Sequence, residues 1–96
     1  MSLAPNALEE LLALSEAMLG AAESGDWELL ASIENQRSDL VSRLPANLAG
    51  EPEVAKSARG RRLIEDCQRC DARVRPLVEA RLNELRVVLR EVRASA

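Results

Sequence analysis

The chain has 96 residues, 47% of them hydrophobic, with 13 basic and 16 acidic side chains and a formal net charge of −3. A chain of that length forms one small domain that buries about two-thirds of its unfolded surface. Trp27 is its one aromatic residue and histidine is absent, which leaves no aromatic for base stacking in the basic C-terminal half, nothing for imidazole acid–base chemistry and little for a metal site.

The first predicted element is a helix over residues 6–23. Asn6 and Glu9 have the spacing of a capping box. At about 100° per residue, Leu8, Leu11, Leu12, Leu14, Met18, Leu19 and Ala22 share one broad face, while Glu9, Glu10, Glu16 and Glu23 point away. Gly25 can take the left-handed conformation that ends this helix, and Asp26 can cap the next, with Glu28 in its first turn. So short a turn makes the two helices antiparallel.

The second helix is predicted over 27–44, closed by Pro45. Trp27, Leu30, Ile33, Leu40, Val41 and Leu44 share its apolar face, with Trp27 sealing the hairpin end. Arg37 falls inside that face by angle. A guanidinium there either runs out to solvent along its own stem, the reading we favour, or is fixed by a carboxylate, or meets a partner's groove. Residues 45–52, PANLAGEP, read as a loop within the domain, with Pro52 able to open the next helix.

A long helix is predicted over 53–93. Apolar residues recur at 63, 67, 70, 74, 78, 82, 85, 89 and 92, a heptad seam with one stutter between Val74 and Val78. Pro76 lies in that stutter and either kinks the helix or separates two. Cys67 and Cys70 sit mid-helix on the seam, where packing is the expected role. The two other ligands of a zinc site are absent from the chain, and so is the strand that precedes a thioredoxin-type motif.

Charge is divided unevenly. Residues 1–55 hold ten acids against two bases, and residues 56–96 hold eleven bases against six acids. The two halves attract each other in the folded bundle, each exposed pair contributing a few tenths of a kcal/mol. Glu65, Asp66, Asp71, Glu79, Glu84 and Glu91 interrupt the arginines, so no nucleic-acid partner is expected. No apolar run approaches the roughly 20 residues that span a bilayer, and the N-terminus has neither a basic n-region nor a continuous apolar h-region. A soluble, unexported protein without membrane insertion is expected.

The fold expected from these elements is all-α: an antiparallel helical hairpin packed on one long C-terminal helix, a three-helix bundle within a single domain, 1–96. A long helix of 41 residues is about 60 Å and each hairpin helix about 27 Å, so the hairpin cannot cover it. Part of the stripe carrying Leu77, Val78, Leu82, Leu85, Val88, Leu89 and Val92 therefore lacks an intramolecular partner, which marks a protein interface. A second copy in a four-helix dimer or an amphipathic segment of another protein would fill it. No enzyme is expected. The chain has no glycine-rich phosphate loop and no nucleophile with a base, and neighbouring acids such as Glu9 and Glu10 do not converge.

Leu11 to Leu44, with LLALSEAML followed by SGDWELL and LVSRL, resembles the FliT family of flagellar export chaperones. Its signature is a leucine-rich first helix, a Gly-acid-Trp turn and a second helix rich in acids and leucine. Leu77 to Leu89, LVEARLNELRVVL, resembles the family's third helix, with Arg81, Leu82, Glu84 and Leu85 matching R-L-x-E-L. The resemblance covers about half the chain and rests most on Gly25-Asp26-Trp27. It implies a cytoplasmic type III secretion chaperone for flagellum biogenesis. Such a chaperone binds the C-terminal helical region of the filament-cap protein, FliD, and delivers it to the export gate and its ATPase complex. Some members also bind and oppose the flagellar master transcription activator. The expected contact surface is Leu77, Val78, Arg81, Leu82, Leu85, Val88, Leu89 and Val92, with no cofactor and no metal. Family members often carry a fourth helix folded over the groove; here Ala96 follows the third, so an open or dimer-covered arm is expected. A scaffolding coiled-coil dimer is the alternative.

Overall fold

The computed structural model describes residues 4–44 and 57–95, with side chains from residue 7 onward. Among the described residues three helices follow one another: α1, Ala4–Ser24; α2, Trp27–Ser42; α3, Ala58–Ser95. No strand occurs among the described residues. The architecture is all-α, with α1 packed against both α2 and α3.

α1 begins at Ala4, upstream of the predicted Asn6 cap. Pro5 sits in its first turn, where a missing N–H costs nothing because that donor has no partner within the helix. The helix ends in a Schellman motif: Gly25 N–H donates to Ala22 C=O at 3.2 Å and Asp26 N–H to Ala21 C=O at 2.9 Å. Gly25 has φ 75°, a conformation that glycine adopts without a Cβ penalty. Asp26 then caps α2, its carboxylate accepting from Leu29 N–H at 3.2 Å. Two residues thus stop one helix and start the next, and α1 and α2 run antiparallel.

α2 ends at Ser42 rather than at Leu44. Pro45 disfavours helical geometry at the residue before it, so the turn closes earlier. The described part of α3 begins at Ala58, where Ser57 caps it, its hydroxyl accepting from Gly60 N–H at 3.1 Å, and the predicted start at Glu53 lies outside the described residues. The predicted loop 45–52 and the Pro52 start lie outside the described residues. α3 then runs through Pro76 as one helix to Ser95.

The core is aliphatic. Met18, Leu19 and Ala21 from α1, Ile33 from α2 and Val74 from α3 form one buried cluster, with Leu14, Leu30, Leu77 and Val78 packed against it. α1 supplies most of the buried surface, including Leu8 and Ala22, which is why it can hold two helices at once. Of the predicted α2 face, Ile33 and Leu40 are buried, but Val41 is exposed, since it turns past the contact with α1. Among the described residues, carboxylates of the acidic hairpin pair with arginines of the basic helix at Glu9–Arg59 and Glu23–Arg73. At about 1.5 Å per residue α3 is about 57 Å long, α1 about 32 Å and α2 about 24 Å. The molecule is accordingly elongated, 60 × 21 × 20 Å, and the end of α3 projects beyond the bundle as an arm.

Candidate partner-binding surface

The eight residues expected to contact a partner divide at the edge of the bundle. Leu77 and Val78 are half-buried and belong to the rim of the core. Arg81 lies at the boundary, its guanidinium 5.9 Å from the centroid of the Trp27 ring and 3.3 Å from Glu84. A separation near 6 Å is the outer limit of a cation–π contact. Leu82, Leu85, Val88, Leu89 and Val92 are all exposed, from 41% at Leu85 to 60% at Val92. Burying one such side chain is favourable by about 1.5–3 kcal/mol, so a row of five is costly to leave in water.

The structure adds a groove at the base of this row. Between α2 and α3, beside Trp27, lies an apolar cleft of about 350 Å³. Met18 of α1 lines it together with Trp27, Leu30 and Ala31 of α2 and Val78 and Leu82 of α3. Arg81 and Glu34 supply its polar groups. Leu82 belongs both to this cleft and to the exposed row, so cleft and arm form one continuous apolar surface. Sequence reasoning confined the surface to the long helix and missed the contribution of α2. A lone aromatic placed at the hairpin turn was the available signal.

Arg37 is fixed by a carboxylate, not left to snorkel. Its Nη1 donates to Asp71 Oδ1 and its Nη2 to Asp71 Oδ2, both at 2.8 Å, and Nη1 also approaches Met18 Sδ at 3.6 Å. This bidentate pair ties α2 to α3 and is partly shielded, with the two side chains 22% and 36% exposed. Asp71 stands half-buried at the edge of the α3 seam, one turn beyond buried Cys67 and one turn before buried Val74, within reach of the guanidinium.

Both cysteines are free thiols, Cys67 buried and Cys70 half-buried. Burial pushes the Cys67 thiol up; the Ser15 hydroxyl acts in the opposite sense, and Asp71 adds to the rise. Burial also pushes Cys70 up, helped by Glu16 and Asp71. Neutral thiols are poor nucleophiles and poor metal ligands. Ser15 Oγ is fully buried without a geometrically sound hydrogen bond. The thiol it faces is too weak a partner to satisfy it. Among the described residues no three His, Cys, Asp or Glu side chains gather to hold a metal ion, and no helix is long and apolar enough to cross a membrane.

The surface is therefore apolar and elongated, with charged side chains beside it. No curated protein and no solved structure matches the chain significantly. A family model described as flagellar protein FliT matches residues 5–96. With the match running through the hairpin, its Gly25-Asp26-Trp27 turn and the arm, the chain belongs to the FliT family of flagellar proteins.

Proposed function

We propose that this protein is a cytoplasmic flagellar type III export chaperone. It binds the C-terminal helical region of the filament-cap protein, FliD, and delivers that client to the export gate and its ATPase. The observation that carries the reading is the row Leu82, Leu85, Val88, Leu89 and Val92, exposed beyond the end of the hairpin. Apolar rows of that extent on a small protein are interaction surfaces, and a helix is the shape that fits one. Val78 and Arg81 form the base of the contact, where the row enters the α2–α3 cleft, and Leu77 lies beside them at the rim of the core.

Binding here needs no chemical step. A client helix laid along the arm removes the row from water, and its own apolar face is removed in the same event, so the client neither aggregates nor assembles early. The same row would serve self-association, which makes a homodimer that dissociates for its client compatible with the surface. A scaffolding dimer or an antagonist of a transcription activator would use it too.

Size exclusion with light scattering, on the chain alone and with a soluble C-terminal fragment of the filament-cap protein, separates these readings. A stoichiometric complex is the expected result. An unchanged dimer that ignores the fragment would overturn the chaperone reading in favour of the scaffold.

A further inference from the structure

The arm is not evenly charged around its apolar row. With Arg86 as the origin and about 100° per residue, Leu82, Leu89, Leu85, Val92 and Val88 fall between about −40° and −160°. Arg90 and Arg93 fall at about +40° and −20°, so they and Arg86 form a ridge along one edge of the row. Arg75 continues the ridge toward the bundle, and Glu79 is the one acid on it. Glu84 and Glu91 lie on the opposite edge, with Glu84 engaged by Arg81. Arg86 bonds only within its own helix, to Asn83 at 3.1 Å. Arg90 and Arg93 have no ion-pair partner among the described residues.

We infer that the arm selects an amphipathic helix whose flank facing Arg86, Arg90 and Arg93 is acidic. This rests on the partner-binding reading and adds the chemistry of the partner. Three guanidinium groups spaced over about 10 Å of helix can meet carboxylates four and three residues apart on a facing helix. Apolar rows of this kind are poorly discriminating by themselves, and edge charges supply choice of partner and orientation.

A second copy fits this edge less well. In an antiparallel pair of arms each flank meets the same flank of the other copy, which sets the arginine ridge against itself. A parallel pair fits less well because the face of α3 that continues the row, at Cys67, Val74 and Val78, is already taken up by the packing of the hairpin through α1. A membrane surface fits less well too, since Glu84 and Glu91 line the other edge and the row has no aromatic.

The test uses two labelled 21-residue helical peptides with the same leucine seam, one with glutamate along one flank and one with lysine there. Their affinities for the full chain are read by fluorescence anisotropy. The glutamate peptide is expected to bind about tenfold tighter or more at low salt, with the difference shrinking as salt rises. The triple variant Arg86→Gln/Arg90→Gln/Arg93→Gln should abolish the preference, and Arg86→Glu/Arg90→Glu/Arg93→Glu should reverse it. All three positions are exposed, so circular dichroism should show both variants folded.

Equal affinity for the two peptides, or a preference that survives the glutamine variant, overturns the inference. Tighter binding to phosphatidylglycerol vesicles than to either peptide would give the ridge to a membrane instead. A dimer that persists at saturating peptide would give the row to a second copy. Failure here is separable from failure of the chaperone reading. A charge-indifferent arm that still binds the cap fragment sinks only the inference, and a charge-selective arm that ignores the fragment sinks only the client assignment.

Discussion

Replacing Asp71 by leucine removes both acceptors of Arg37 and leaves its guanidinium, 22% exposed, pressed against Met18 without a counter-charge. A fully buried pair broken in this way costs about 3–5 kcal/mol and a fully exposed one about 0–1. With Asp71 itself 36% exposed, solvent screens much of the interaction and the expected loss is about 1–2 kcal/mol. For a domain of this size that lowers Tm by about 5–10 °C. Urea titration followed by circular dichroism gives the global loss, and Trp27, the sole aromatic, reports the α2–α3 cleft beside it by its emission. Arg37→Met should cost less, because it leaves the more exposed carboxylate. The double variant Arg37→Met/Asp71→Leu should recover most of the loss, since two apolar groups of similar shape replace the pair. An unchanged urea midpoint in Asp71→Leu, or strictly additive single losses, would show that the pair does not clasp the two helices.

The core and its termini give further expectations. Ile33→Ala removes the buried contribution of α2 and should cost about 2–4 kcal/mol by chemical denaturation; a loss under 1 would mean that α2 is not packed as described. Gly25→Ala meets no neighbouring atom but must hold φ 75°, so its loss of about 1 kcal/mol should be purely conformational. Asn at the same position should cost less, and equal losses would deny the left-handed cap. Ser15→Ala removes a buried hydroxyl without a sound partner, and stability should stay level or rise by up to about 1 kcal/mol. A clear loss would reveal a bond that the geometry lacks. Burial holds the Cys67 thiol above its ordinary value of 9.0. Below that value both folded and unfolded chains keep the proton, so stability does not depend on this group. Above it the unfolded chain ionises first, and stability should fall as pH rises. Cys67→Ala should flatten that fall relative to wild type.

Much of the fold is written locally. The stop at Gly25, the cap at Asp26 and the helix-period stripes of α1 and α3 each depend on residues within a few positions of one another, so a reading of neighbours finds them. The length mismatch that exposes Leu82 to Val92 is likewise a count of residues. Helix ends were less legible, because several residues compete to cap. Pro5 had the right chemistry to open α1, yet Asn6 offered an equally familiar pattern.

What depended on two distant segments was hardest to see. Arg37 and Asp71 are 34 residues apart, and nothing near either one names the other. The signal lay in matching two anomalies, a cation inside the apolar face of α2 and an acid at the seam of α3. The α2–α3 cleft was missed for a related reason: its walls come from three helices far apart in sequence, brought together by the packing of α1 against both α2 and α3.

Calorimetric titration of the filament-cap C-terminal fragment into the wild-type chain and into Leu82→Asp and Leu85→Asp bears most directly on the role of the arm. Each substitution places a carboxylate where a client helix would bury leucine, and a loss of about 100-fold or more in affinity is expected. The helical signal should stay largely intact, because both positions lie outside the core. Binding retained at wild-type strength by two well-folded variants would mean that the client does not dock on this row.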